Sequence, residues 1–127
     1  MLWRKVIGYW KSILVIGVIA YLSLLRQMPN VGLPSIVGID KWIHGTMYLL
    51  LAVALLWDSR SVQGWKRYLI VAVVAAIYGG FIEVLQEQFF YPRTGDWVDW
   101  MADCVGVGVG LVMWIIGEKW YEQRVAK

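Results

Sequence analysis

Four apolar stretches, each about as long as a lipid bilayer is thick, constrain the fold of this chain more than any other feature. They cover residues 6–25, 41–57, 68–89 and 97–117. A helix needs about 20 residues to cross a hydrocarbon layer of roughly 30 Å. Hydrophobic residues make up 60% of the chain and charged residues only 17%, which is too apolar for a soluble domain of this size. The sequence therefore predicts an all-α integral membrane bundle of four transmembrane helices, in a single domain of residues 1–127.

The segments between these stretches are polar or rich in glycine and proline. Residues 26–39 contain two prolines and two glycines, which favours a connecting loop. Residues 58–67 form a polar, basic loop, and residues 118–127 form a charged amphipathic tail. The first stretch could also be a signal peptide, but no small-residue cleavage site follows Leu25. We therefore expect it to remain as the first transmembrane helix.

The distribution of basic residues predicts the orientation of the bundle, because cytoplasmic loops carry an excess of Lys and Arg. With the N-terminus inside, the cytoplasmic basic residues are Arg4, Lys5, Lys11, Arg60, Lys66, Arg67, Lys119, Arg124 and Lys127. Those outside are Arg26, Lys41 and Arg93. The sequence thus predicts a multi-pass protein of the cytoplasmic (inner) membrane, with both termini in the cytoplasm.

Polar side chains recur at helical spacing inside two of the apolar stretches. In the third, Glu83, Gln86 and Glu87 share one helix face. In the fourth, one stripe begins acidic and continues as glycine: Asp96, Asp99, Asp103, Gly106 and Gly110. A short connection containing Arg93 joins these two helices, so we predict a tight antiparallel hairpin. Small residues would form its packing face: Gly79, Gly80, Gly106 and Gly110.

The second apolar stretch begins with a further polar stripe. Asp40 is suited to the N-cap of this helix, and Lys41, His44 and Tyr48 follow at steps of three and four residues. We predict one polar pocket near the outer leaflet, to which three helices and a connection contribute. Its ligand-binding residues would be Lys41, His44, Tyr48, Glu83, Gln86, Arg93, Asp96, Asp99 and Asp103.

Two of these carboxylates lie too deep to be explained as helix caps. Asp96 and Asp99 could simply cap or begin the fourth helix, but Asp103 is about 10 Å further along it than Asp96. Glu83 reaches a similar depth on the third helix. A charged side chain at membrane depth costs about 2.5 to 3.5 kcal/mol. These carboxylates therefore need a shared proton, a basic partner or a bound cation. A purely structural ionic network is the alternative to a ligand site.

The residue types indicate which ligands such a pocket could take. Arg93 is the strongest candidate for an anionic group, because guanidinium suits bidentate binding of phosphate or carboxylate, and Lys41 could assist it. His44 could ligate a metal, but no HExxH motif or cysteine cluster is present, so we predict neither a metal nor a cofactor. Aromatic residues typical of membrane interfaces could also line a lipid or sugar site: Tyr48, Phe89, Phe90, Tyr91, Trp97 and Trp100.

The order of these residues resembles that of the VanZ-like family of small bacterial integral membrane proteins. The similarity covers residues 40–110 and includes Asp40, Lys41, His44, Tyr48, Tyr78, Gly79, Glu83, Gln86, Arg93, Asp96, Asp99, Ala102, Gly106 and Gly110. At position 103 the family usually has asparagine, whereas this chain has Asp103. The charge state of the pocket is therefore expected to differ from that of a typical member.

The resemblance implies a role in the bacterial cell envelope, since the founding member of the family is associated with low-level resistance to the glycopeptide teicoplanin. We expect binding of a lipid-linked or anionic headgroup. Membrane lipids, a lipid-linked cell-wall precursor or a glycopeptide would be the partners, and nucleic acid would not. One alternative is an enzyme acting on such a lipid, with Glu83, His44 and Asp103 as candidates for acid–base catalysis. The other is a structural partner subunit. The sequence does not specify an oligomeric state.

Overall fold

The computed structural model describes residues 2–25, 39–89 and 97–127, and every element within these segments is helical. Helices α1 (Leu2–Gly8) and α2 (Trp10–Ala20) are followed by a π-helical turn, Tyr21–Leu25. Helices α3 (Ile39–Asp58), α4 (Lys66–Phe89) and α5 (Trp97–Val125) complete the described part. The all-α prediction is confirmed for these residues. Residues 26–38 of the predicted loop 26–39 lie outside the described residues, as do Arg93, Asp96 and the side chain of Asp40, whereas Ile39 begins α3.

Two of the described helices, α4 and α5, are long and apolar enough to cross a membrane. Helices α1 and α2 add a third crossing only if they are counted as one span, and they are bent by 65° at the break between them. Helix α3 is shorter than α4 and carries Lys41 and His44 in its first turns. By length and composition the described residues therefore provide two or three membrane spans, fewer than the four predicted.

The helix boundaries correct the prediction at both ends of the chain. The first helix begins at Leu2 and breaks at Tyr9, whose backbone is not helical, so residues 6–25 are not one continuous helix. The last helix continues to Val125, well beyond the predicted end at residue 117. Its charged final segment is rich in Glu, Lys, Gln and Arg, which are good helix formers. The charged residues after position 117 therefore indicate that this part of the helix is exposed, and they do not mark its end.

The outward face of α4 is apolar. Leu69, Val73, Ile77 and Phe81 follow each other at steps of four residues, and each of them is exposed. A stripe of this kind would be buried in a soluble protein, whereas lipid chains can cover it in a membrane. The described surface therefore fits a protein surrounded by lipid.

The contacts along the helices define their directions. Lys41 lies against Asp99, and Gly45, further along α3, lies against Gly106, further along α5. Residue numbers rise together on both sides, so α3 and α5 run parallel. On α4 the numbers run the other way, because Arg67 meets Glu118 near the end of α5 while Ala76 meets Trp100 near its beginning. Helix α4 is therefore antiparallel to both α3 and α5.

The closest glycine contact among the described residues joins α3 and α5. A Cβ atom added at Gly106 would lie 2.9 Å from Gly45 Cα, and one added at Gly110 would lie 3.0 Å from the carbonyl oxygen of Leu49. Real Cβ atoms essentially never approach other atoms closer than 3.0 Å, so only glycine fits at Gly106 without a shift of backbone. Small residues thus allow two backbones to touch where lipid supplies no hydrophobic driving force.

The predicted hairpin of α4 and α5 is only partly correct. The two helices do pack together, and Gly79 and Gly80 face the indole of Trp100 on α5. Gly106 and Gly110 face α3 instead of α4, so the prediction is wrong for these two glycines. A stripe of small residues indicates a close approach, but it does not indicate which neighbouring helix makes it.

Two glycine variants test the contact between α3 and α5. Gly106→Ala should destabilise the protein by about 1 to 3 kcal/mol, because the added methyl group meets the backbone of Gly45. A Cβ added at Gly108 meets nothing within 4 Å, so Gly108→Ala should be neutral or raise stability by up to about 1 kcal/mol. Thermal melting in detergent measures both variants. Equal melting temperatures would show that the two helices are not in close contact.

Candidate functional site

A polar cluster lies where the first turns of α3 and α5 meet the last turns of α4. Lys41 Nζ is 3.0 Å from Asp99 Oδ1, and His44 Nδ1 is 3.2 Å from Asp103 Oδ1. His44 Nε2 also lies 3.9 Å from Asp99 Oδ2. Because α3 and α5 are parallel, the same helical spacing on both places the pairs one turn apart. Together with Glu83 on α4, these residues form what we call the ionic cluster: Lys41, His44, Glu83, Asp99 and Asp103.

Burial increases along the ionic cluster. The side chain of Lys41 is 36% exposed and that of Asp99 is 16% exposed, so this pair forms the outer part. Asp103 and Glu83 are only 1% and 2% exposed and form the inner part. Asp103 and Glu83 are thus enclosed by the described helices. A cap role does not explain either residue.

Glu83 brings α4 into the cluster. One possible ligand atom from each of His44, Glu83 and Asp103 lies within 4.8 Å of the other two. Gly79, one turn before Glu83, leaves room for this approach, because its missing Cβ would lie only 3.2 Å from Asp103 Oδ2. Three helices thus contribute one side chain each to the buried part of the ionic cluster.

Two aromatic residues enclose the inner part of the ionic cluster. Tyr48 lies one turn after His44, is 1% exposed, and has its ring 3.3 Å from the position of a Cβ at Gly79. Within the described segments, its hydroxyl has no hydrogen-bond partner. Trp100 donates a 3.0 Å hydrogen bond from Nε1 to the carbonyl oxygen of Ala76 on α4. The sequence suggested an interfacial or lipid-contact role for Trp100, but this hydrogen bond ties α5 to α4.

Other predicted site residues lie elsewhere. Gln86 is buried, but its Nε2 donates a 2.7 Å hydrogen bond to the carbonyl oxygen of Ser23, so it anchors the end of the N-terminal helix. Tyr78, about two turns before Gln86 on α4, also contacts the N-terminal helix. Its hydroxyl donates a 2.7 Å hydrogen bond to the carbonyl oxygen of Ile16. Glu87 is exposed, so only part of its predicted polar face is buried. Arg93 and Asp96 lie outside the described residues.

The opposite end of the bundle carries two ionic contacts that the sequence analysis did not predict. Asp58 accepts hydrogen bonds from the backbone and side chain of Ser12 at 2.9 and 2.8 Å and pairs with Lys11 at 3.3 Å. Buried Arg67 pairs with Glu118 at 3.3 Å and also donates to the carbonyl oxygen of Leu56. The only feature of the sequence that pointed to these contacts is the position of the charged residues near the ends of the apolar stretches.

An apolar groove runs between α3 and α5 beside the ionic cluster. It has a volume of about 390 Å³, and its lining includes Lys41, Leu49, Val105 and Val109. Lys41 is the charged residue of this lining, and it belongs to the outer part of the ionic cluster. The groove therefore joins a hydrocarbon-like surface to a cationic side chain.

The chemistry available at this site is proton exchange and ion binding. His44 and Asp103 are in hydrogen-bond contact, which is the pairing needed for acid–base chemistry. Within the described segments, the hydrogen-bond and ionic partners of His44 are the carboxylates of Asp99 and Asp103. The N-termini of parallel helices α3 and α5 lie at the same end, where their dipoles favour negative charge.

Comparison with protein families, with curated proteins and with solved structures finds no match for this chain. The ionic cluster and the apolar groove beside it both lie where α3 and α5 begin.

A double-mutant cycle tests whether the inner pair is energetically coupled. His44→Gln and Asp103→Asn should each destabilise the protein, by about 3 to 5 kcal/mol, because each leaves a buried partner without its ionic contact. The double variant should cost less than the sum of the two single variants. Glu87→Gln, an exposed change on α4, serves as the control and should fall within about 0.5 kcal/mol of the wild type. Strictly additive losses would mean that the pair does not interact.

Proposed function

We propose that this chain is a VanZ-like integral membrane protein of the bacterial cell envelope that binds the anionic headgroup of a lipid or lipid-linked precursor. The headgroup would occupy the outer part of the ionic cluster, and an acyl or polyprenyl chain would lie in the groove between α3 and α5. The observation that carries the proposal is the position of Lys41, which belongs both to the ionic cluster and to the lining of the groove.

The proposed anionic headgroup would be held by the positive groups at the outer edge of the ionic cluster, away from the buried carboxylates of Glu83 and Asp103. The parallel helices α3 and α5 present two N-termini there, and Lys41 adds a full charge. Its side chain is 36% exposed, so it remains accessible while it contacts Asp99. In the proposal Arg93, on the connection between α4 and α5, completes the anion site, since guanidinium binds phosphate oxygens in pairs.

The lipid character of the ligand follows from the groove. Its lining is formed by residues such as Leu49, Val105 and Val109, so a chain of methylene groups can fill it without leaving polar groups unsatisfied. A free, water-soluble anion would not use this surface. A ligand that combines a phosphate with a hydrocarbon chain would use both features at once.

For the topology we propose four transmembrane spans with both termini in the cytoplasm, in the cytoplasmic membrane. The count adds α3 and the bent α1–α2 pair to α4 and α5. Basic residues, among them Lys11 and Arg67, are in excess at the end opposite the ionic cluster. This excess supports the proposed orientation. The ionic cluster and the mouth of the groove would then face the outer leaflet.

A membrane enzyme remains the second candidate function. The contact between His44 and Asp103 favours it, with Glu83 as a further acid or base. Such an enzyme would turn over a lipid-linked precursor instead of only retaining it. A structural partner subunit, the third candidate, would use the ionic cluster only to hold the helices together.

Filling the groove tests the lipid proposal. Val109→Trp places a bulky ring in the groove, whereas Val112→Trp changes an exposed residue of α5 that does not line it. We expect Val109→Trp to reduce lipid copurification at least tenfold, measured by native mass spectrometry, while Val112→Trp retains it. Lys41→Gln should selectively lose anionic lipids, and Lys119→Gln at the opposite end should not. Retention of the same lipids by all four variants would reject the proposed site.

The same variants separate the three functions. If the protein binds lipid, Val109→Trp and Lys41→Gln should lose the lipid without loss of thermal stability, and in a suitable host they should lose any effect on glycopeptide susceptibility. Release of a processed lipid by the wild type would favour the enzyme. Loss of stability without selective loss of lipid would favour the structural role.

Reporter fusions test the proposed topology. A reporter that is active only in the periplasm should stay inactive after Lys127 and within residues 58–67, and it should be active between α4 and α5. A reporter that is active only in the cytoplasm serves as the control and should give the reverse pattern. The opposite result in both series would place the ionic cluster at the inner leaflet.

A further inference from the structure

We propose that His44, Glu83 and Asp103 form a binding site for one divalent transition-metal ion. The sequence analysis predicted no metal because recognised motifs are missing, but the fold assembles the three residues from three helices. Each offers one ligand atom, and these atoms lie within 4.8 Å of one another. The site does not depend on the proposed lipid function.

The spacing of these atoms is close to that of a metal site. Bonds of about 2.0 to 2.2 Å hold the ligand atoms of a tetrahedral ion roughly 3.4 Å apart. His44 Nδ1 and Asp103 Oδ1 already lie 3.2 Å apart. Glu83 would need to approach by at most about 1.5 Å, which a rotation of its flexible side chain can supply.

The surroundings of His44 match those of a metal-ligating histidine. Such a histidine usually directs its second ring nitrogen at a carboxylate, which fixes the orientation of the ring. When Nδ1 faces the ion, Nε2 faces Asp99 Oδ2 at 3.9 Å. Asp99 is in turn held by Lys41 at 3.0 Å. The Lys41–Asp99 pair therefore helps to fix the orientation of the His44 ring.

The ligand types and charges select the ion. One imidazole and two carboxylates suit Zn²⁺, Mn²⁺ or Fe²⁺ better than Mg²⁺ or Ca²⁺, which prefer oxygen ligands alone. A divalent ion also brings positive charge to the carboxylates of Glu83 and Asp103, which are 2% and 1% exposed.

Tyr48 provides a second, independent observation. Its side chain is 1% exposed, lies one turn from His44 and borders the same glycine as Asp103. Within the described segments its hydroxyl has no hydrogen-bond partner, which is costly for a buried polar group. An ion with three protein ligands keeps a position for water. A metal-bound water next to Asp103 would give this hydroxyl a partner.

Metal titration tests the site directly. The full-length protein in detergent is stripped with a chelator and titrated with Zn²⁺ or Mn²⁺ by calorimetry, and bound metal is counted by mass spectrometry. We expect one equivalent, with at least tenfold weaker binding in Glu83→Gln and Asp103→Asn. Glu87→Gln, one turn from Glu83 but exposed, should bind like the wild type. No stoichiometric binding by the wild type, or equal binding by all variants, would overturn the proposal.

A variant that gains a spectroscopic signal on metal binding distinguishes loss of a metal ligand from loss of folding. In His44→Cys, bound Co²⁺ should acquire a sulfur-to-cobalt charge-transfer band, which a misfolded protein would not give in a one-to-one titration. The wild type, which retains Cys104, is the control and should show only weak visible bands. Absence of the new band in a folded variant would count against His44 as a ligand.

The metal and the lipid are measured on separate samples. Metal binding is measured on delipidated protein and lipid copurification on metal-stripped protein. Failure of one proposal therefore does not conceal the other.

Discussion

The parallel contact of α3 with α5 is the constraint on which the rest of this small bundle depends. Backbones meet at Gly45 and Gly106, and this meeting sets the register in which Lys41 reaches Asp99 and His44 reaches Asp103. A shift of one residue along either helix would turn these side chains about 100° away from each other. The glycine contact therefore determines both the packing of the bundle and the composition of the ionic cluster.

Charged groups at the two ends of the bundle serve the fold in different ways. At one end, Asp58 and Arg67 bind backbone atoms as well as side chains of opposite charge, which satisfies helix ends where the chain turns. At the other end, the carboxylates of Glu83 and Asp103 lie deeper than any helix cap requires. Their burial beside His44 is the feature on which the proposed metal site depends.

Sequence periodicity predicted most of the helices and all five members of the ionic cluster, because spacing of three and four residues fixes which side chains share a face. It placed Lys41, His44 and Tyr48 on one stripe and Asp99 and Asp103 on another, as the structure has them. Periodicity could not show which faces meet, so Gly106 and Gly110 were assigned to the wrong neighbour. Periodicity also did not predict the contacts of Gln86 and Glu118. The sequence pattern of a polar residue is the same whether its side chain contacts a backbone carbonyl, an arginine or solvent.

The length of α5 has a mechanical consequence. Its 29 residues extend about 44 Å, more than the roughly 30 Å of a hydrocarbon layer. The helix is continuous from Trp97 to Val125, with Asp99 and Asp103 at one end and Trp120 and Arg124 at the other. A continuous helix transmits a tilt along its whole length, and α5 is in close contact with α3 at Gly106. A tilt of a few degrees at the ionic cluster would therefore displace the far end of α5 by some ångströms.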